Sequence, residues 1–513
     1  MKYRNPILSG YHPDPSICRA GDDFYLVNSS FEFYPGVPLY HSKNLVNWEL
    51  AGYCLNSEKQ IRLGNCRPSG GIYAPCIRFH DGWFFMTVTN VSWKGNLIIH
   101  TKNPMQGWSD PVWVDQGGID PTLFFDDDGK VYFASTGMSP DGKQCIEMCQ
   151  IDPFTGEKLT ESRIISYGCG GRYPEGPHIY KIWGKYYLML AEGGTEYGHM
   201  ETMLRADCPF GPYTPGQTNP ILTHSQDTRE EIYCTGHADI VEDSKGNWWM
   251  VCLAVRPCGE KKNRVLLHNL GRETFLTPLT WSEDHWPKAG HDGLIDLECD
   301  ADLPGEPQPV DKNFHDDFQS PDFPLEWNYL RDPESENYKR MPEQGYLRLK
   351  GTEKTLSDNA SPTFIGVRQT GFFTSTTAFV RPETAVSDCR VGLTAYYCTD
   401  YHYEIFLTYK GGKWMVCIGK HIHDLCTVAA CAELDPVYDP VKSGIYLKIS
   451  SDKEYYRFFF GTEKNNYMLL GTGRTEGLST EGTMYMTFTG VYLGIFAERV
   501  EADAREFSMN VQD

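Results

Sequence analysis

Near the N-terminus, the stretch His12-Pro13-Asp14-Pro15-Ser16 wedges one aspartate between two prolines. Each ring fixes φ and removes a backbone donor, and each restricts the residue before it to extended geometry. The spacing predicts a stiff strand start that aims the Asp14 carboxylate, although Asp beside Pro is also ordinary turn chemistry. Two more acids stand in similar surroundings: Asp120 in Gly118-Ile119-Asp120-Pro121-Thr122 and Glu175 in Glu175-Gly176-Pro177-His178. Two carboxylates flanking one bond, one protonated and one ionised, are the equipment for glycoside hydrolysis. A third beside them raises the pKa of the acid by like-charge repulsion, so that the acid keeps its proton near neutral pH. Direct displacement by water then needs one base and one acid about 6.5–9.5 Å apart.

The elements that would gather these acids are visible as a repeat. Five times a short strand start is followed by a turn and an aromatic strand. Asp14-Pro15-Ser16-Ile17 precedes Phe24-Tyr25-Leu26-Val27, Ala74-Pro75-Cys76-Ile77 precedes Trp83-Phe84-Phe85-Met86, and Asp120-Pro121-Thr122-Leu123 precedes Val131-Tyr132-Phe133. Glu175-Gly176-Pro177-His178-Ile179 precedes Tyr186-Tyr187-Leu188-Met189, and His237-Ala238-Asp239-Ile240 precedes Trp248-Trp249-Met250-Val251. Such units suggest five blades of a β-propeller, because one small sheet cannot bury its faces alone. The first strand of each blade lines the axis, so Asp14, Ala74, Asp120, Glu175 and His237 are expected at one phase, converging in one funnel. A lone acid at a strand start can simply satisfy local backbone donors. Three at one phase form a like-charge cluster, which is costly and marks function.

At 513 residues the chain has room for two or three domains. Its 49 Gly, 32 Pro and 13% aromatic residues favour short strands and turns over long helices. A formal charge of −21 leaves no basic stripe for nucleic acid and fits a neutral or cationic ligand better. No run of 18 apolar residues offers a membrane span, and the first residues lack an apolar leader, so a soluble, cytoplasmic protein is expected. The N-x-[ST] matches at Asn28, Asn90 and Asn359 then carry little weight. Seventeen cysteines, odd in number and mostly isolated in apolar runs, read as reduced core thiols. No G-x-S-x-G or phosphate-loop motif occurs.

Together, His12-Pro13-Asp14-Pro15-Ser16, Gly118-Ile119-Asp120-Pro121-Thr122, Glu175-Gly176-Pro177-His178, Thr235-Gly236-His237-Ala238-Asp239 and Gly271-Arg272-Glu273-Thr274-Phe275 resemble glycoside hydrolase family 43, in particular its two-domain β-xylosidases and α-L-arabinofuranosidases. The resemblance covers nearly the whole chain. It implies an inverting enzyme on a five-bladed propeller, with Asp14 as general base, Glu175 as general acid and Asp120 tuning and orienting that acid. It further implies that Arg272 grips sugar hydroxyls and that Phe31 forms an aromatic wall of the pocket. Tyr73 stands where many relatives carry Trp, which bears on substrate preference. Some relatives hold a calcium or other divalent ion near a histidine at the axis, which would make His237 the metal-side or substrate-side residue, with a satisfied core histidine as the alternative. The chemistry itself requires no cofactor.

Residues 1–300 are thus expected to form an all-β, five-bladed propeller. The Pro-rich stretch 301–312 reads as a linker, and residues 313–513 as an antiparallel, concanavalin-like β-sandwich packed on the propeller. Strand-like runs at Tyr346-Leu347-Arg348-Leu349 and Tyr403-Glu404-Ile405-Phe406-Leu407, with a Gly411-Gly412 turn, carry that reading. The resembled enzymes use the sandwich to lend a pocket-closing loop, for which Phe488 is the candidate. The expected activity is exo-acting release of xylose from β-1,4-xylooligosaccharides, with α-L-arabinofuranosidase activity as a companion or as the main activity. Two other readings are a retaining enzyme acting on fructosides and a sugar-binding propeller without chemistry. The oligomeric state is left open between monomer and homo-oligomer.

Overall fold

A computed structural model of the chain describes residues 1–259 and 265–512. It is almost entirely β, the only α-helix among the described residues being the single turn Pro440–Ser443. Five antiparallel sheets of four strands stand in succession, with inner strands Ser16–Ala20, Cys76–His80, Ile119–Phe125, Glu175–Ile182 and Tyr233–Glu242; the fourth blade adds the short strand Leu222–Thr223. The aromatic and β-branched residues of each second strand explain the stacking, since both faces of a blade must be covered by neighbours. Five separate apolar cores lie between successive blades. Val27 and Leu39 meet Ile77 and Met86, Phe85 meets Leu123 and Phe133, and Phe124 meets Ile179 and Leu188. Tyr187 and Met203 meet Ile240 and Met250, while Trp249 and Val251 meet Ile17 and Leu26 to close the circle.

The closing seam is reinforced by the N-terminal segment. Lys2–Arg4 pairs antiparallel with Glu298–Asp300, Tyr3 opposite Cys299. Asn5 fixes the register by donating from Nδ2 to the Leu276 carbonyl at 2.9 Å while its Oδ1 accepts from the Leu276 N–H at 2.9 Å. Residues 301–313 contain no strand, yet the segment is held: Asn44 and Asn47 donate to the carbonyls of Glu306 (2.9 Å) and Gln308 (2.7 Å).

One polar hub on the axis ties all five inner strands. Asp239 of blade five, fully buried, accepts from Ser16 of blade one (2.7 Å), from Arg78 of blade two (2.7 and 3.3 Å) and from the Tyr180 hydroxyl of blade four (2.5 Å). Arg78 also donates to His178 Nδ1 of blade four (2.8 Å), which lies 3.3 Å from Thr122 Oγ1 of blade three. Burial raises the Asp239 carboxyl, but the Arg78 guanidinium, then His178 and Tyr180, hold it at about 2. Burial lowers His178 to about 3, so its ring is neutral and its Nδ1 can accept.

The second domain is a sandwich of a six-stranded and an eight-stranded sheet. Leu393, Ile405 and Ile495 face Leu347, Leu447 and Phe458 across its core. Gly411 and Gly412, at φ 59° and 82°, make the two-residue turn between Tyr401–Lys410 and Lys413–Ile422, a conformation open to glycine. One expectation fails here: Cys417 and Cys431, on adjacent strands and directly opposite in register, form a disulfide. The other fifteen cysteines, all among the described residues, form no disulfide. The spacing of 14 residues gave no hint of the pairing, because strand register decides it.

The hub yields a stability prediction. Arg78→Met strands the buried Asp239 charge and should cost about 3–5 kcal/mol in denaturant unfolding. Lys59→Met, which removes only an exposed pair with Asp110, should leave the midpoint unmoved within error.

Candidate active site

Three tiers of side chains descend the propeller axis, and they correct the expected alignment. Pairing registers place Glu175 (opposite Ala191) level with Ile119 (opposite Thr136), and His178 level with Thr122, with an irregularity after Glu175 and after Ile119. Gly176, not Glu175, therefore shares the phase of Asp14, Ala74, Asp120 and His237. Glu175 stands one residue earlier, in the tier of Pro13, Tyr73, Ile119 and Gly236, nearer the mouth. The hub residues Ser16, Cys76, Thr122, His178 and Asp239 form the floor.

The middle tier has a common backbone. Asp14, Asp120, Gly176 and His237 all adopt the left-handed region, at φ 50°, 54°, 55° and 47°. The prolines after Asp14 and Asp120 thus do not hold those residues extended, contrary to expectation. Such a conformation costs about 1–3 kcal/mol at a non-glycine residue and persists only where the surroundings over-determine it. At Asp14 they do: Asn28 Nδ2 (2.8 Å) and the Ser29 N–H (3.3 Å) clamp the Pro13 carbonyl, while the carboxylate accepts from Ser29 Oγ (2.5 Å) and, bidentately, from Arg272 (2.6 and 3.2 Å). A Cβ at Gly176 would approach the His237 ring to 3.2 Å, a contact tight enough that the ring would have to shift.

The three acids are close enough to set one another's ionisation. Burial raises Asp14, but Arg272, His237 and Ser29 outweigh it and hold the group below its ordinary value. Burial, then the charges of Glu175 and Asp14, push Asp120 far up. Burial also raises Glu175; Gln144, donating to Oε1 at 3.0 Å, pulls it down, and Asp14 adds to the rise. Asp120 and Glu175 are thus both held above their ordinary values, and the charge of Glu175 weighs on the ionisation of Asp120. Asp120 is buried and accepts from the Gly176 N–H (3.2 Å), whereas Glu175 is only partly buried.

Aromatic rings wall the remaining side. Phe31 lies 5.1 Å from Tyr73 and stacks on Phe488 at 5.7 Å. Phe488 comes from the sandwich and crosses the domain boundary: its N–H donates to Ser69 Oγ (2.9 Å) and its carbonyl accepts from Arg272 (3.3 Å). The Arg272 guanidinium sits 5.6 and 5.3 Å from the rings of Phe31 and Phe488. Behind them, Phe33 stacks on Tyr492 at 3.9 Å, so the two domains share one aromatic core.

His237 occupies the axis with Nδ1 3.7 Å from Asp14, and burial lowers its pKa, leaving a neutral ring. Its surroundings do not fit a protein-built cation site. Among the described residues no three His, Cys, Asp or Glu side chains are placed to hold a metal ion together, whereas calcium wants six to eight oxygens, several of them anionic. The near carboxylate is committed to Arg272. Sequence reasoning missed Ser29 and Gln144. Ser29 sits two residues before Phe31 in a motif read for its aromatic ring and as a glycosylation match but not for its hydroxyl, and Gln144 carries no sequence signal, since its role depends on the adjacency of blades three and four.

A carboxylate held low by a guanidinium, two carboxyls pushed up beside it and an aromatic wall are the equipment of a glycoside-hydrolysing propeller enzyme. Residues 3–287 match the model of glycosyl hydrolases family 43, and residues 315–507 that of the beta xylosidase C-terminal concanavalin A-like domain. The chain belongs to glycosyl hydrolases family 43. It is 40% identical over 503 residues to a non-reducing end alpha-L-arabinofuranosidase of Bacteroides ovatus, covering 96% of this chain and 91% of that one. It is 37% identical to a xylosidase/arabinosidase of Butyrivibrio fibrisolvens, over 82% of each chain. The solved structure of the Bacteroides ovatus xyloglucan PUL protein GH43B superposes with a TM-score of 0.92 at 37% identity, covering 100% of both chains.

Arg272→Gln removes the charge that offsets the burial of Asp14, so the Asp14 pKa should rise. Activity that needs this group ionised is lost as pH falls through its pKa. The acid limb of the kcat/KM profile should therefore move up by about one to three pH units, together with a fall in the maximum.

Proposed function

We propose that this enzyme removes single pentosyl residues from the non-reducing ends of oligosaccharides or side branches with inversion at the anomeric carbon. The carrying observation is the contrast between Asp14, bound bidentately by Arg272, and Glu175, which meets only a neutral amide. Asp14 is then the base that takes a proton from the attacking water. Glu175 is the acid that protonates the departing oxygen, and Asp120 raises and orients that acid. Asp120 is pushed up more strongly, but it is buried and accepts from the Gly176 N–H, so the proton that meets substrate is carried by Glu175. Phe488, laid across the pocket from the second domain, supports an exo mode, because a closed end admits one sugar.

Both β-D-xylosyl and α-L-arabinofuranosyl units fit this reading. The arabinofuranosidase assignment gains weight from the Bacteroides ovatus relative and from Tyr73, a smaller ring than tryptophan at the pocket wall. Turnover of the two nitrophenyl glycosides separates them, and a β-xyloside releasing α-xylose first, followed by NMR, tests inversion. Should β-xylose appear first, the water-activating role of Asp14 falls.

The roles also predict a leaving-group signature. Glu175→Gln should lower kcat/KM on unactivated oligosaccharides by about 10²–10⁴-fold while sparing activated aryl glycosides, whereas Asp14→Asn should lose all substrates alike. The alkaline limb, where the pair loses its proton as pH rises through its raised pKa, should vanish in Glu175→Gln.

A further inference from the structure

At the junction of the two domains stands a carboxyl group that the chemistry above does not use. Glu32 follows Phe31 directly and is fully buried. Its carbonyl accepts from the Arg331 N–H of the sandwich at 2.8 Å, and the next residues continue the join, Phe33 and Tyr34 pairing antiparallel with Leu330 and Tyr329. The backbone alone makes that part of the seam.

The side chain is bonded to a different element. Glu32 Oε2 accepts the Ser69 N–H at 3.0 Å, and the Ser69 hydroxyl oxygen in turn accepts the Phe488 N–H at 2.9 Å. The same loop is paired with Phe31, since Phe31 and Ile72 exchange N–H···O bonds of 2.8 and 3.1 Å. Stability alone does not ask for an acid at this place. Glu32 Oε1 has no hydrogen-bond partner among the described residues, and a buried carboxyl satisfied on one oxygen only is costly. Burial raises the group to about 7, and the charge of Arg331 recovers only part of that rise. Arg331 gives its donors elsewhere, to the carbonyls of Cys66 and Ala360, to Asn359 Oδ1 and to Thr399 Oγ1. What the carboxyl does hold is the backbone of Ser69.

Resting on the exo reading, in which Phe488 closes the pocket, we propose that Glu32 is the positioning residue of that closure. Its carboxyl fixes the Ser69 N–H, Ser69 presents its hydroxyl oxygen to the Phe488 N–H, and Phe488 is thereby kept in its stack on Phe31 at 5.7 Å. The other end of Phe488 is fastened by Arg272, which donates to its carbonyl at 3.3 Å. Each polar group of this one sandwich residue thus answers to a propeller side chain that is itself held by an acid, Ser69 by Glu32 and Arg272 by Asp14. Glu32, fully buried, meets no sugar. How tightly the terminal pentosyl unit is enclosed depends on it all the same.

The test is a cycle of variants read in two ways. Glu32→Met, which keeps the volume and removes the acceptor, and Ser69→Ala should each raise KM for a nitrophenyl pentoside by about tenfold, the scale of one lost buried hydrogen bond. In both, kcat should stay within about twofold, the pattern of lost ground-state binding. The double variant should add nothing beyond either change, because both break one path. Glu32→Gln retains an acceptor for the Ser69 N–H and should keep the parent KM. An unmoved KM in Glu32→Met, losses that add in the double variant, or an equal loss in Glu32→Gln overturns the proposal. Hydrogen–deuterium exchange followed by mass spectrometry reads the same path without turnover. The segment around Phe488 should exchange about tenfold faster in Glu32→Met than in the parent or Glu32→Gln, with the neighbouring core strand Tyr492–Glu498 unchanged. No change around Phe488, or an equal acceleration in that strand, overturns the proposal. Since exchange needs no hydrolysis, it decides the role of Glu32 even if the exo reading is wrong.

Discussion

Three carboxylates against one guanidinium is the charge balance on which this site depends. Arg272 can neutralise only the acid it grips, and its bidentate hold on Asp14 spends it there. Of the remaining two, Asp120 is buried and Glu175 partly so, and both carboxyls are pushed up. The contrast between a carboxylate held low and two carboxyls pushed up thus comes from where a single arginine points. The same side chain reaches the Phe488 carbonyl, so the device that sorts the protons also fastens the second domain over the pocket.

The fold serves this balance by stacking two kinds of polar layer. Below lies a hub in which every partner is satisfied, Asp239 with Arg78, Ser16 and Tyr180. Above it lies a layer in which opposite charges are deliberately short. The rigid floor permits the strained left-handed residues above it, because displacing Asp14 or Asp120 would mean breaking a network that spans all five blades.

Much of this was legible in the sequence. The blades announced themselves through aromatic second strands, and Asp14 and Asp120 through their shared setting before proline. Glu175 was found for a partly wrong reason. Its motif contains one extra residue, Gly176, which takes the expected position so that the acid can reach from nearer the mouth. A family resemblance led to Phe488, since nothing local to Met486-Thr487-Phe488 points to a pocket more than 400 residues upstream in the chain. Ser29, Gln144 and the disulfide partners stayed hidden because adjacency across strands and blades, not composition, gives them their roles.

Asp14 and Arg272 belong to the first and last blades, on opposite sides of the seam that Lys2–Arg4 closes against Glu298–Asp300. A chain emerging from the ribosome carries Asp14 almost at once, yet that carboxylate has no Arg272 counter-charge until 258 residues later, and contacts of such long range make ring closure a slow, late event in its assembly.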